Sequence, residues 1–275
     1  MFHYRFLRDC LAFLSVLFLS TLLSFSATAP TALSAGEIIK KTIARAQATQ
    51  GANTRSNYSY IKRAVTEELD NNGTVKDKKE KLFFFKSGYG YLQQVKVNGA
   101  ALSGAELKKQ EESILKDSSQ VTSSKTGKRD DNWERFLTPE LVAKYQFTLV
   151  ERAEVNGRPT YVLSFQPLSN LPVKHISDRL ANQIFGKVWI DEREFEIARA
   201  EIGLQSEVSL WGGVLGALKK FSYTLVRTRV DENVWFNSLT HGDFVGRKLL
   251  DSTHVKLRSE SSNFKRLLPA TPLLR

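Results

Sequence analysis

The chain has 275 residues, 41% of them hydrophobic and 25% charged, with 40 basic against 29 acidic side chains and a formal net charge of +11. That length suffices for one large domain held by an ordinary hydrophobic core. The single cysteine, Cys10, excludes disulfides, thiolate nucleophiles and cysteine metal sites from the chain beyond it.

The N-terminus comes first. "MFHYRFLRDC" carries Arg5 and Arg8, "LAFLSVLFLSTLLSF" (Leu11 to Phe25) is apolar apart from small hydroxyls, and "SATAPTALSAGE" supplies small residues. This order reads as a secretory signal peptide over residues 1–35, with a mature domain over 36–275. The apolar run is short for a spanning helix, which needs about 20 residues. Cys10 precedes the run and is not placed like a lipidated cysteine. Loss of Arg5, Arg8 and Asp9 leaves 38 basic against 28 acidic residues, net +10. The one local concentration is "KDKKEK" (Lys76 to Lys81). A periplasmic location is expected, with an anionic lipid surface or an acidic envelope protein as the partners such charge suits, and no nucleic acid.

Ser34 and Glu37 have capping-box spacing, and Ile38, Ile39, Ile43 and Ala46 recur at helical intervals up to Gly51, which predicts an amphipathic helix. "NYSYIKRAVTEEL" and "TVKDKKEKLFFFKSG" then flank "DNNG", where Asn72-Gly73 is expected to supply the positive φ angles of a tight hairpin. "YGYLQQVKV" is a third strand. Ser103 and Glu106 form a second capping box ahead of "AELKKQEESILK", and residues 117–131 read as a mobile polar loop. Thr138-Pro139-Glu140 opens the short helix "PELVAKY".

A second block alternates in the same way. "FTLVERAEV" and "TYVLSFQPL" make a hairpin, "VKHISDRLANQI" a short helix, and "VWIDEREFEIARAEI" a hairpin that turns at Asp191 to Glu194. "FSYTLVRTRV", "VWFNSLTHGDFVG" and "KLLDSTHVKLRSESSNFKR" complete the strands. Helices do not alternate one-for-one with strands, so the fold class is α+β: a strongly curved antiparallel sheet forming an unclosed half-barrel, with a few helices covering its concave side.

Three constellations bear on chemistry. Glu194 and Glu196 share a strand face and stand at a spacing a glycoside hydrolase uses. Alternation nevertheless directs Phe195 and Ile197 inward and both acids to solvent, so a solvated hairpin is the preferred reading. His241 and Asp243 share a face, with His254 on the next strand, but zinc requires three or four ligands, and scattered surface histidines are preferred. "WGGVLGALKKF" (Trp211 to Phe221) lacks a phosphate-loop ending and reads as a bent strand or an apolar flap. No nucleophile elbow or dinucleotide fingerprint is present. What remains is apolar surface. Phe83, Phe85, Val188, Ile190, Phe195, Ile197, Trp211, Phe221, Trp235 and Phe244 are the candidates for lining a cavity that holds acyl chains.

"GKVWIDEREFEIARAEI" and "YTLVRTRVDENVWFNSLTHGDF" resemble the Trp-Ile-Asp hairpin and the Val-Asp-x-x-Trp segment of the LolA/LolB-like superfamily, in its outer membrane lipoprotein-sorting branch. The likeness spans residues 147–264. It implies a half-barrel whose apolar cavity accepts acyl chains of lipid or lipoprotein, without catalysis or cofactor. The expected function is therefore a monomeric periplasmic lipid- or lipoprotein-binding protein acting in lipoprotein sorting. The alternatives are a secreted hydrolase using carboxylates of the 188–202 hairpin and a non-catalytic envelope scaffold.

Overall fold

A computed structural model describes residues 32–267 apart from 53, 87–88, 98–99, 102, 107, 110–111, 113–136, 170, 174–175, 211–215 and 249–250. The signal-peptide reading up to residue 31 and the polar loop 117–131 thus lie outside the described residues. The chain divides into two units, Met1–Leu33 and Ser34–Arg275, and every element described here belongs to the second.

Helix α1 spans Ala35–Ala52. Its cap is formed as the spacing predicts: the Ser34 amide and hydroxyl donate to Glu37 Oε2 at 2.8 and 2.7 Å, and the Glu37 amide donates back to Ser34 Oγ at 3.3 Å. Ile38, Thr42 and Ala46, at intervals of four, are buried together with Ile39. The second capping box also forms, with the Ser103 amide 2.9 Å from Glu106 Oε2. Helix α2, Pro139–Val142, starts from the Thr138 hydroxyl, which accepts from the Leu141 amide. Helix α3 is Ile176–Ala181.

Among the described residues, twelve strands make one sheet: β1 Tyr58–Leu69, β2 Val75–Lys86, β3 Tyr89–Val97, β4 Ala100–Ala101, β5 Tyr145–Val155, β6 Arg158–Pro167, β7 Ile184–Asp191, β8 Ile197–Leu204, β9 Val208–Leu210, β10 Gly216–Asp231, β11 Val234–Lys248 and β12 Asp251–Arg266. Their spatial order is β4-β3-β2-β1-β12-β11-β10-β8-β7-β6-β5, with β9 added beside β10. Every pairing is antiparallel. Strands β4 and β5 end the path without meeting, so the sheet is an unclosed half-barrel with a few helices, an α+β fold. The final strand is central: β12 lies between β1 and β11, joining the N-terminal hairpins to the rest.

The turns are set by asparagine and glycine. Asn156 and Gly157 have φ of 51° and 72°, the two left-handed residues of a tight β5–β6 hairpin, and Asn233 (φ 60°) does the same between β10 and β11. Between β1 and β2 only Gly73 is left-handed (φ 81°). The expected pair of positive angles is replaced by a longer loop in which Asp70 Oδ1 accepts from the Asn72 and Thr74 amides, each at 2.9 Å.

Among the described residues, two clusters anchor the interior. Tyr58, Tyr60, Phe85, Val234 and Phe236 form one, in which Tyr60 stacks on Phe85 with centroids 4.5 Å apart. Val155, Ala198 and Trp235 form the other, packed by Trp189 and Val226.

Candidate functional site

The hairpin of β7 and β8 departs from strict alternation at one residue. Phe195 takes φ 52° just before β8, and the β7–β8 register shifts between Trp189 and Ile190, while Ile197 stays buried opposite Ile190. Glu196 is 2% exposed and Asp191 is fully buried, whereas alternation alone directs both Glu194 and Glu196 to solvent. Phe195 itself is only half-buried, with the Lys41 ammonium 4.9 Å from its ring centroid. Asp191 organises the turn: Arg158 binds it in a two-point fork at 2.6 and 2.9 Å, and the Arg193 and Glu194 amides donate to its Oδ1.

Each buried acid meets arginine. Glu196 accepts from Arg227 Nη1 at 2.6 Å, from Arg45 Nε of α1 at 3.0 Å and from the Thr49 hydroxyl at 3.3 Å. Arg45 also donates to the Asn233 carbonyl at 2.9 Å, tying α1 to the β10–β11 turn. Glu194 accepts from Arg229 and from Trp235 Nε1, the latter at 2.7 Å. Burial alone would push the Glu196 carboxyl up, but Arg227 and Arg45 hold it below its ordinary range. Burial acts likewise on Asp191, and Arg158 with the turn amides reverses it. A carboxylate held ionised between guanidinium groups has no proton to give as a general acid. These acids are counter-ions that fasten the hairpin to β10, β11 and α1. The sequence signal for this lay in "YTLVRTRV": Arg227 and Arg229 alternate within an apolar strand and require partners once buried.

The histidine constellation is partly assembled. His254 Nε2 lies 2.7 Å from Asp243 Oδ1. Among the described residues no group of three or more metal-ligating side chains occurs.

Of the ten apolar candidates, Trp211 lies outside the described residues, and Phe83 is placed only by its backbone, opposite Lys62 and Leu92. Phe85, Val188, Ile190, Ile197 and Trp235 are buried, while Phe195, Phe221 and Phe244 are half-buried. Register brings some of them onto one face with residues that composition alone did not single out. Directly opposite positions run Phe147, Phe165, Gly186, Ile202, Tyr223 and Gly242 across six strands. Two residues along, a second row runs Leu149, Leu163, Val188, Ala200, Leu225 and Thr240. Phe221 faces Phe244, with centroids 5.3 Å apart. The second row is buried from Leu163 to Thr240, whereas Phe147, Phe165, Ile202 and Tyr223 of the first remain half-open. Phe165 leans over Gly186, where an added Cβ would sit 3.0 Å from its ring. Tyr145 abuts Phe165 edge-on at 5.5 Å, and burial pushes its phenol up to about 12 while its hydroxyl donates to the Ala181 carbonyl.

The other face of the same strands is polar. Thr148, Ser164, Lys187, Glu201 and Thr224 form the corresponding row, and a groove of about 600 Å³ runs along it, bordered also by Phe165, Gly186, Ile202 and Tyr223 of the first row. A second groove of about 570 Å³ lies over β1, β2, β11 and β12, lined by Ile61, Arg63, Leu82, Leu239 and Glu260 among others. Neither groove is lined by any of the ten candidates. On the β1–β2 hairpin the basic run answers its own acids, with Lys79 2.9 Å from Asp77 and Lys78 2.8 Å from Glu67.

No protein-family model matches the chain, and no curated protein matches it in sequence. Solved structures do resemble it at low identity. An outer membrane lipoprotein-sorting protein domain from Vibrio parahaemolyticus is 11% identical over 82% of this chain and 92% of its own, with a TM-score of 0.32. A LolA superfamily protein from Nitrosomonas europaea is 12% identical over 86% and 96%, with a TM-score of 0.28. The Mycobacterium tuberculosis lipoprotein LppX is 10% identical over 86% and 100%, with a TM-score of 0.30. At these values the likeness carries no functional argument, and the fold rests on the strand pairing already described.

Proposed function

We propose that this protein is a non-enzymatic, monomeric periplasmic binder of acyl chains, belonging to lipid or lipoprotein traffic in the cell envelope. The observation that carries the reading is the half-open apolar row Phe147, Phe165, Ile202 and Tyr223, with its neighbours Phe221 and Phe244. Six strands at about 4.8 Å spacing give the row a length of about 24 Å, the scale of one extended long acyl chain. Val188 and Ile190, both buried, back the row from within the same face. Burial of an acyl chain contributes about 0.8 kcal/mol per methylene, so contact along much of its length binds firmly without a single polar anchor. The net charge of +11 favours an anionic lipid surface or an acidic envelope protein as donor or acceptor. An N-terminal secretory signal fits the same setting.

Native mass spectrometry of protein purified from the envelope tests the reading. Co-purified lipid is expected, and its occupancy should fall in Phe147→Ser and Tyr223→Ser variants that retain the parent's circular dichroism. Protein that carries no lipid and takes none from vesicles of phosphatidylethanolamine and phosphatidylglycerol would leave the scaffold alternative standing.

A further inference from the structure

The groove along the polar row is lined chiefly by polar residues, and Phe165, Gly186, Ile202 and Tyr223 of the apolar row border it as well. Of the residues that line it, Gln146, Gln166, Thr148, Ser164, Ser222 and Thr224 present amides and hydroxyls. The last two stand on β10 and the others on β5 and β6, so hydrogen-bonding groups border the groove from both sides. Among the described residues, none exchanges a hydrogen bond with the side chains of Gln146, Gln166, Thr148 or Ser164. Their capacity is left to solvent or to a ligand.

Three aromatic residues line the groove, Phe165, Phe185 and Tyr223, and Phe185 is the one that stands two residues from Lys187 on the polar side of β7. Phe185 is 42% exposed, and directly across from it on β8 is Gly203. A Cβ at Gly203 would lie 3.1 Å from the Phe185 ring, so the glycine lets the ring lie down on the neighbouring strand. One face of the ring rests on backbone and the other is open. That is a stacking platform, because the ring is held by its support and loses little freedom when something settles on it.

Charge narrows the ligand. The groove's titratable carboxylate and ammonium are Glu201 and Lys187, which are direct cross-strand partners, and Arg199 ion-pairs with the same glutamate. A chain with a net charge of +11 has thus kept its basic excess out of this groove, which removes the reason to expect an anionic ligand. An acyl chain is disfavoured by the cost of stripping water from so many amides and hydroxyls. An extended peptide would need unpaired backbone to bind as an added strand. Here the floor is β6, β7 and β8, interior strands whose backbone groups are consumed by their neighbours. A ligand that stacks an apolar face on one ring while offering many neutral hydroxyls at its edges satisfies all of these conditions.

We propose that the groove over β5 to β10 binds a neutral glycan segment, with Phe185 as the platform for one sugar ring and Gln146, Gln166, Ser164 and Ser222 reading hydroxyls of its neighbours. Its volume of about 600 Å³ falls within the range of built small-molecule sites. The site borders the acyl row at Phe165, Ile202 and Tyr223, and sugar binding is read separately from lipid occupancy.

Isothermal titration of the purified full chain with chito-, cello- and malto-hexaose tests the assignment. At least one is expected to bind, with an affinity unchanged when salt is raised about tenfold, as for an uncharged ligand. Phe185→Ala, an exposed position, should weaken that binding about tenfold, the effect of losing an aromatic contact. Gln166→Ala should weaken it to a smaller extent. Both variants are to be matched to the parent in thermal midpoint and in retained lipid. No heat from any of the three sugars at up to about 10 mM, a concentration that detects even millimolar affinity, would overturn the proposal. So would binding indifferent to Phe185→Ala, or binding that salt abolishes.

Discussion

At the scale of single residues, the most consequential are the buried ion pairs. Glu196 and Arg227 are 2% and 1% exposed at their side chains and 2.6 Å apart. Removing either leaves a charge in an interior that cannot solvate it, which costs about 3–5 kcal/mol, whereas replacing both with apolar residues of like volume is close to neutral. Glu196→Ala should therefore lower stability to urea by about 3–5 kcal/mol, and Glu196→Leu combined with Arg227→Met should recover most of it. The pH dependence has a definite sign. Glu196 and Asp191 are held below their ordinary values of 4.5 and 3.8, so the unfolded chain takes up protons first as pH falls. Their contribution is present above about pH 4.5 and is lost as pH falls through the lowered folded values. A thermal midpoint level from pH 6 to 8 and declining in acid, less steeply in Glu196→Gln, is the expected record.

At the scale of elements, the sheet is shaped by rings laid over glycines. Gly186 shows how tight this is: an added Cβ would stand 2.0 Å from the Glu201 carbonyl oxygen and 3.0 Å from the Phe165 ring. The carbonyl belongs to a paired strand and has nowhere to go. Gly186→Ala should cost about 1–3 kcal/mol by overpacking and should disturb the Phe165 environment in near-ultraviolet circular dichroism. At Gly203 the nearest atoms are those of the Phe185 ring alone, and an exposed ring can turn aside. A Gly203→Ala change is accordingly the milder of the two in a urea melt. The contrast separates a glycine required by backbone approach from one that serves as a seat for a neighbour's ring.

At the scale of the molecule, connectivity runs through the C-terminus. Among the described residues, β12 is the one strand that pairs with both β1 and β11. Without it β1 to β4 become a separate meander with a new edge. Truncation after residue 250 should convert a single cooperative unfolding transition into a protease-sensitive N-terminal portion and a less stable remainder. Limited proteolysis with mass mapping of the fragments reads this directly, and resistance equal to that of the full chain would contradict it. The same connectivity pairs Tyr58 with Arg266, a contact between near-opposite ends of the described chain. Folding is accordingly expected to be slow relative to helical proteins of this size.

The sequence by itself determined the elements and their class. The capping boxes at Ser34 and Ser103, the Thr138-Pro139 start of α2 and the Asn156-Gly157 turn act over three or four residues, so their physics is contained in the local chain. Alternation likewise directed Ile197 inward, where it is buried. Tertiary structure decided what depends on distant partners. Glu196 turns inward only because Arg227 and Arg45, 31 and 151 residues away, are there to receive it. A local pattern carries no information about such a counter-charge. Nor did alternation reveal that the last strand is a central one, or that Phe185 lies on Gly203 amid amides and hydroxyls from other strands. Periodicity assigns a residue to a face, but strand order and register decide which residues from other strands share that face with it.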